Sequence, residues 1–373
     1  LQGLAAGVIP LGISIMRDQL PAERLGSATA LMSASLGVGG ALGIPTASLV
    51  AQYADWHVLF WAAAGLGALV GVLVLAIVPE SAVRSGGRFD LLGAVLLSVA
   101  LGSLLLAISK GSLWGWTSAV ITALFGAAAV ALGLWVGWEL RTRQPLVDLR
   151  VSVRRQVLLT NTASAVFGFS MFAMALVLPQ LLQLPAATGY GLGQSILGAG
   201  LVMAPSGLVM MAVSPVSARI SRRRGPKVTL MAGAGVVAAG YAAAVVMTAE
   251  IWQVVAVSAA IGAGIGLSYG AMPALVMAAV PVTQTAAANS LNTLMRAIGT
   301  SVASAVIGVV LAQMTTTFGP LTVPSHDGLR VVLALGAGTA LVAMAIAAFL
   351  PRHGTRDPAA AAAAGHQLAP VRP

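Results

Sequence analysis

The stretch Ser-Ala-Arg-Ile-Ser-Arg-Arg-Arg-Gly-Pro-Lys, residues 217–227, contains five cations in eleven residues. It separates an apolar run that ends near Val216 from a second apolar run that begins near Val228. Because charged side chains are costly in hydrocarbon, we interpret residues 217–227 as a tight loop at a membrane surface. The two apolar runs are then membrane-spanning helices.

The composition of the whole chain agrees with this interpretation. Of its 373 residues, 58% are hydrophobic and only 8% are charged, whereas about 25% of the residues of a soluble domain are charged. Lipid must therefore solvate most of the surface. The net charge of +10 does not indicate nucleic-acid binding, because no soluble basic scaffold is visible. The absence of cysteine excludes disulfides and thiol chemistry.

A helix needs about 20 mainly apolar residues to cross the roughly 30 Å hydrocarbon core of a bilayer. By this criterion the sequence predicts an all-α polytopic membrane protein with eleven visible transmembrane helices. Their predicted bounds are 1–16, 27–50, 58–78, 91–109, 117–139, 156–184, 193–216, 228–248, 252–279, 286–313 and 329–350.

The segments between these spans alternate between rich and poor in lysine and arginine. Positively charged loops stay on the cytoplasmic side of a membrane. We therefore expect a multi-pass membrane protein with a cytoplasmic C-terminus and cytoplasmic loops at 17–26, 79–90, 140–155 and 217–227. This orientation places Leu1 outside, which leads us to expect missing upstream helices.

A Gly-x-x-x-Gly-x-x-Pro pattern occurs twice, at matching places in consecutive pairs of spans. Its residues are Gly3, Gly7 and Pro10 in the first span and Gly266, Gly270 and Pro273 in the ninth. The duplication predicts two pseudo-symmetric six-helix halves, an architecture of secondary transporters in which the substrate site lies between the halves.

The predicted domain organisation follows from this repeat. Residues 1–78 are the end of an N-terminal bundle that lacks about three helices, and residues 79–155 hold two inserted spans and a basic cytoplasmic loop. Residues 156–350 form a complete six-helix bundle, and we expect residues 351–373 to be a disordered cytoplasmic tail. Three missing and eleven visible helices give a probable total of fourteen.

At this point the chain resembles the major facilitator superfamily, and it is most similar to the fourteen-span drug:proton antiporter branch. Leu1-Gln2-Gly3 resembles the end of the family's fourth-helix motif. Arg223, Gly225 and Lys227 match the second-half copy of the family's basic loop motif, although Arg222 stands at the position of the motif's acid. The resemblance gives these three residues a gating role; marking topology is the alternative.

The antiporter motif of the family's fifth helix maps onto the second span. Gly39 and Gly43 match two of its glycines, and Pro45 is displaced from the motif's proline. The resemblance implies that these three residues form a helix-packing motif.

Polar and adaptable side chains inside the spans are candidates for a substrate cavity. Arg296 is the one cation within a span, and Asn292 lies four residues before it on the same helix face. Snorkelling of Arg296 to the surface and hydrogen bonding of asparagine between helices are the alternatives. The full set of candidates is Asn161, Phe167, Met171, Gln183, Tyr269, Met272, Asn292 and Arg296. For the apolar members, ordinary packing remains the other interpretation.

The resemblance implies a secondary active transporter, not an enzyme, that exports amphipathic or cationic organic compounds in exchange for protons by alternating access. Uptake of a small metabolite by symport is the alternative. All ten acids fall in loops or at span ends, so we expect the proton-coupling residue in the missing helices. Expected partners are membrane lipids, a small organic substrate and protons. We expect no cofactor, metal, nucleotide or nucleic acid.

Overall fold

The computed structural model of the chain describes residues 7–78, 90–142, 145–147, 149–280 and 284–351. Eleven helices of two or more turns account for most of these residues. They are α1 (Val8–Gln19), α2 (Ala22–Tyr53), α3 (His57–Ile77), α4 (Leu91–Trp114), α5 (Ala119–Glu139), α6 (Arg155–Gln183), α7 (Ile196–Arg224), α8 (Pro226–Val246), α9 (Ile251–Met277), α10 (Thr285–Gln313) and α11 (His326–Ala348). Single turns occur at Leu149–Ser152 and Ala186–Thr188.

Ten of these helices, α2 to α11, are long and apolar enough to cross a membrane. They coincide with the second to eleventh predicted spans, which confirms the predicted polytopic all-α architecture. The start of the first span, including Gly3, lies outside the described residues, as do most of the 79–90 loop and the tail from Arg352. The total of fourteen helices and the domain boundaries stay predictions.

A short β-hairpin departs from the all-α prediction. β1 (Thr315–Phe318) and β2 (Leu321–Pro324) pair antiparallel, with Thr315 opposite Pro324. The hairpin lies between α10 and α11, where Gly319 adopts a φ of 59° in a turn that glycine tolerates at no steric cost.

Several helices begin at a polar residue whose side chain accepts a hydrogen bond from a backbone N–H three positions later. Asp90, Ser118, Ser195 and Ser325 cap α4, α5, α7 and α11 in this way. At α9, Glu250 and Gln253 form a reciprocal capping box. These contacts satisfy N–H groups that the helix itself leaves unpaired, and they fix where each span begins.

Helices α6 to α11 pack into one bundle with a continuous buried core. Tyr241 of α8 lies at its centre, is fully buried, and donates a hydrogen bond to the carbonyl oxygen of Ser170 in α6. Gly336 of α11 lies against the Tyr241 ring, where a Cβ would come within 2.7 Å of a ring carbon. The core is therefore closed by interdigitation of small and large side chains.

Helix α2 crosses α7 at close range through glycine. A Cβ on Gly37 would come within 2.7 Å of the carbonyl oxygen of Gly207, and a Cβ on Gly207 within 2.5 Å of that of Gly37. Small residues thus allow two backbones to touch, as expected in lipid.

The helix-packing role predicted for Gly39 and Gly43 is not met within the described part of the chain. No described atom lies within 4 Å of where a Cβ would stand at either residue, and Pro45 is half-buried inside α2. The physical reason is rotation: two residues turn a helix by roughly 200°. The contact face therefore runs through Gly37, and Gly39 points away from it.

The stretch 217–227 is also different from the predicted loop. Helix α7 continues to Arg224 and α8 begins at Pro226, so the two helices meet at Gly225 alone. Gly225 has φ 87° and ψ 157°, a conformation that only glycine adopts without strain. Arginine side chains avoid the hydrocarbon, but arginine is compatible with an α-helix. The charge pattern therefore indicated where the chain reaches the membrane surface, and it did not indicate where the helix ends.

Candidate functional site

Helices α6, α9 and α10 contact one another in the middle of the C-terminal bundle. Two glycines bring α6 and α10 together. A Cβ on Gly168 would lie 2.3 Å from the carbonyl oxygen of Arg296, and a Cβ on Gly299 would overlap the carbonyl oxygen of Ala165. This close approach presents the polar residues of α10 directly to α6 and α9.

Asn292 of α10 is the centre of a buried polar cluster. Its Nδ2 atom donates to Asn161 Oδ1 at 3.0 Å and to Ser164 Oγ at 2.8 Å. The Ser164 hydroxyl in turn lies 3.3 Å from the sulfur of Met272 in α9. Asn161 and Asn292 are 4% and 3% exposed and Met272 is fully buried. The cluster therefore joins three helices through hydrogen bonds in a dry environment.

Arg296 extends this cluster toward a more open position. Its guanidinium carbon lies 4.7 Å from the centre of the Tyr269 ring, within the range of a cation–π interaction. Its nitrogens reach Asn292 Oδ1 at 3.5 Å and Thr293 Oγ1 at 3.4 Å, which are long for hydrogen bonds. Arg296 and Tyr269 are both half-buried. The guanidinium is thus held by weak contacts and has hydrogen-bonding capacity to spare.

No carboxylate among the described residues forms an ion pair with Arg296. The residue lies eleven positions into α10, roughly 16 Å along the axis from the start of the helix. Its Cα is therefore placed well inside α10, and its side chain extends toward the start of the helix, where Asn292 and Thr293 lie.

The structure thus brings together five predicted cavity residues: Asn161, Tyr269, Met272, Asn292 and Arg296. We name these five residues, with Ser164, the central cluster. Sequence spacing had no means of finding Ser164, because serine inside a span most often bonds to its own helix.

The three remaining candidates are not part of the central cluster. Phe167 is fully buried in the hydrophobic core, and Met171 packs half-buried against it. Gln183 is exposed at the far end of α6, where its Nε2 atom donates to the carbonyl oxygen of Pro179 at 3.1 Å.

Gln183 instead lines a separate cleft of about 290 Å³, together with Gln180, Leu184, Pro185 and Pro324. Nearby, the Tyr190 hydroxyl donates to the carbonyl oxygen of Pro324, and burial raises the pKa of Tyr190 above its ordinary value. This cleft lies at the opposite end of the bundle from the basic residues.

At the basic end, cationic side chains bind the last carbonyl groups of helices. Lys227 Nζ donates to the carbonyl oxygens of Ala348 at 2.7 Å and Leu350 at 2.6 Å, at the end of α11. The Arg155 guanidinium lies 3.4 Å from the carbonyl oxygen of Phe349. Such carbonyls have no partner within their own helix and carry the negative end of its dipole. Lys227 is therefore a helix cap in this conformation, while Arg223 is exposed.

One contact at the basic end joins α1 to α10 and was missed by sequence reasoning. The Arg17 guanidinium donates to the Thr285 hydroxyl and, at 3.1 Å, to the carbonyl oxygen of Val280. Arg17 thus connects the segment that precedes α2 to the start of the helix that carries Arg296. The sequence offered only its charge as a signal.

A cleft of about 410 Å³ separates α2 from α7 beyond their glycine crossing. Apolar and small side chains line it, with Arg222 at one edge; the others are Ser27, Ala30, Leu31, Ala34, Met211, Ser214, Pro215 and Ala218. Among the described residues, no group of three or more His, Cys, Asp and Glu side chains is placed to hold a metal ion.

Comparison with known proteins identifies the type of chain to which these features belong. The sequence profile described as Major Facilitator Superfamily matches residues 1–304. The chain is 28% identical over 323 residues to the Multidrug resistance protein Stp of Mycobacterium tuberculosis, and the aligned region covers 86% of this chain and 59% of that protein. It is 28% identical over 226 residues to the Multidrug export protein EmrB of Escherichia coli, and the aligned region covers 60% of this chain and 43% of that protein.

The chain therefore spans about 59% of the length of the first of these relatives. Among solved structures, it is similar to the fucose:proton symporter FucP of Escherichia coli, with 17% identity, a TM-score of 0.45, and coverage of 94% of this chain and 90% of that one.

Proposed function

Because the chain belongs to the major facilitator superfamily, a family of transporters and not of enzymes, we propose that it carries small organic molecules across the membrane by alternating access. Ten helices in the described part of the chain are long and apolar enough to cross a membrane, which makes it a multi-pass membrane protein. We place it in the inner membrane of a bacterium, with the basic end and the C-terminus in the cytoplasm, because arginine and lysine concentrate at that end.

We further propose efflux of amphipathic drugs in exchange for protons. The support comes from relatives whose names record multidrug resistance and multidrug export. It also comes from the central cluster, where a few polar groups lie beside the flexible Met272 side chain and the Tyr269 ring, a combination that suits varied ligands. The described carboxylates lie at helix ends, so the group that exchanges the coupling proton is assigned outside the central cluster.

The proposed site depends on the position of Arg296. A guanidinium that pairs with none of the described carboxylates attracts acceptor oxygens and repels cations. Tyr269 beside it supplies an aromatic face. We therefore propose that amphipathic compounds with an anionic or carbonyl group bind at Arg296, and that lipophilic cations bind, if transported, away from it.

Transport can be tested with the full-length protein in everted membrane vesicles that hold an imposed proton gradient and a pH-sensitive dye. Anionic, neutral and cationic amphipathic compounds would be added outside the vesicles. We expect compounds with acceptor groups to dissipate the gradient, and Arg296→Ala to raise their half-saturating concentration about tenfold, equivalent to about 1.4 kcal/mol. Arg296→Lys should keep part of the response, since it keeps the charge but not the planar fork.

Arg224→Ala is the matched control, because Arg224 is an exposed arginine at the basic end and is not one of the residues that match the loop motif. No response to any compound from inserted, folded protein would refute drug export. If the gradient collapses only when a compound is preloaded inside the vesicles, the transporter is a symporter and not an exporter. An equal loss in Arg224→Ala would remove Arg296 from the binding site.

A further inference from the structure

The helix pair α4–α5 carries a buried acidic group that the proposed transport site does not use. Glu139 is the last residue of α5, and it is only 4% exposed. Neither of its carboxylate oxygens accepts a well-aligned hydrogen bond among the described residues. The indole N–H of Trp135, one turn earlier on α5, is buried and faces the carboxylate, but it makes no well-aligned hydrogen bond either. A donor and an acceptor therefore lie close together in the same buried place without a well-formed hydrogen bond.

A second carboxylate lies beside Glu139. Asp90, which caps α4, accepts a hydrogen bond from the Gly93 N–H at 2.8 Å and another from the Trp138 indole at 3.0 Å. The position a Cβ on Gly93 would occupy lies 2.3 Å from Asp90 Oδ2 and 3.0 Å from Glu139 Oε1. The two oxygens are therefore separated by no more than the sum of these distances. Asp90 is satisfied by its donors, whereas Glu139 is not.

No positive charge compensates Glu139 within the described structure. Helix α4 presents Asp90 to it, and α5 contains no other charged residue. In the segment that follows, the backbone N–H groups of Leu146 and Val147 face the carboxylate, and Arg141 is exposed. Helix α10, which packs against α4, carries Arg296 as its one charge, and Arg296 contacts Asn292 and Thr293 instead.

An isolated ionised carboxylate is expensive to bury, and two carboxylates at this separation repel each other strongly in a low dielectric. Neutralising Glu139, the more buried of the two, would remove this cost. Among the described residues, no third acidic or histidine side chain joins the pair to hold a metal ion. A proton needs no further ligand and turns one oxygen of Glu139 into a donor.

We propose that Glu139, Asp90 and Trp135 form a proton-binding site at the basic end of the α4–α5 pair, with the proton carried by Glu139. The site is separate from the central cluster and does not depend on the proposed substrate. Loss of the proton would place a second negative charge beside Asp90 and loosen the junction between α5 and the basic segment that leads to α6.

The proton can be observed directly by infrared difference spectroscopy of the purified full-length protein. We expect the C=O stretch of a protonated carboxyl group at neutral pH, shifted in D₂O, and lost in Glu139→Gln. Glu250→Gln, the same substitution at an exposed helix cap, should retain the band. Asp90→Asn should retain it and lower the pH at which it disappears, because the neighbouring negative charge is gone.

Stability provides a second readout that does not require transport. A folded state that holds one proton more than the unfolded state loses stability as pH rises, by up to tenfold in the unfolding equilibrium constant per pH unit. Glu139→Gln should remove this dependence and leave the protein folded. A band that survives in Glu139→Gln, or an absent band combined with stability that rises with sodium concentration, would overturn the assignment of a proton to Glu139.

Discussion

Helices α3 and α9 are both long and strongly apolar, but they differ in how many of their residues are buried. Among the described residues, α3 has no buried position, whereas 17 of the 27 residues of α9 are buried. Gly65, Gly67 and Gly71 of α3 have no described atom within 4 Å of a Cβ position. In α9, by contrast, a Cβ on Gly262 would lie 2.3 Å from the carbonyl oxygen of Ser206.

The difference shows that apolar character does not select which helix is buried within a membrane protein. Lipid tails are as apolar as leucine, so apolar residues by themselves do not require a helix in the bilayer to have a protein partner. Both helices contain glycine and alanine, but the glycines of α9 stand where neighbouring backbones come close, whereas those of α3 face no described atom. Close packing and hydrogen bonds, and not transfer from water, hold the bundle together once its helices are in the bilayer.

The largest difference in stability should come from replacing a glycine in the buried helix α9 and, for comparison, a glycine in the exposed helix α3. Gly262→Ala places a Cβ against the backbone of Ser206, and we expect a loss of about 1–3 kcal/mol from overpacking. Gly67→Ala meets open space, and it should be neutral or stabilising by up to about 1 kcal/mol because alanine favours helix. Thermal unfolding in detergent compares the two. An equal loss at Gly67 would mean that α3 is covered in the full-length protein.

A smaller effect should follow from the polar cluster of the buried bundle. Asn292→Ala removes the hydrogen bonds to Asn161 and Ser164, and we expect a loss of about 1 kcal/mol, typical of such bonds between membrane helices. Thr162→Ala is the control, since Thr162 is exposed and bonds to its own helix at Leu158; it should change stability by less than about 0.5 kcal/mol. Equal effects would show that burial adds nothing to the cluster.

The smallest effect concerns the basic end. Lys227→Met removes the donor to Ala348 and Leu350, and the lost interaction with the end of α11 should cost about 0.5–1 kcal/mol. Arg223→Met changes an exposed cation on the preceding helix and should cost less. Both variants would be compared by thermal unfolding at low ionic strength. A larger loss of stability in Arg223→Met than in Lys227→Met would show that Arg223, and not Lys227, is the cation that stabilises the basic end.

The sequence was sufficient to predict ten spans, because each is a long, mainly apolar run that a short segment of polar residues, glycine or proline separates from the next. It also predicted that Asn292 and Arg296 share a helix face, since they lie four residues apart. It could not show that Gly37, and not Gly39, faces α7, because a motif records spacing along the chain and not the rotation of the helix toward a neighbour.

Two further features were not predicted from the sequence, for different reasons. Glu139 ends a span, and its position alone does not show whether the side chain reaches water or lies under tryptophan. The hairpin between α10 and α11 did carry a signal, in threonine and valine around Gly319 and Pro320, which are typical of strands and a turn. The short length of this segment between two strong spans hid it.

The one-residue connection between α7 and α8 at Gly225 determines how movement of the C-terminal bundle could be detected with spin labels. Helices α7 and α8 are joined by a single residue, and Lys227 fastens the start of α8 to the end of α11. A spin label at Arg223 would therefore be held next to a one-residue connection between two helices, with no flexible loop beside it. Its distance to a label at Phe349 should stay fixed and narrowly distributed during turnover, while its distance to labels on α3 would report the rocking of one body against the other.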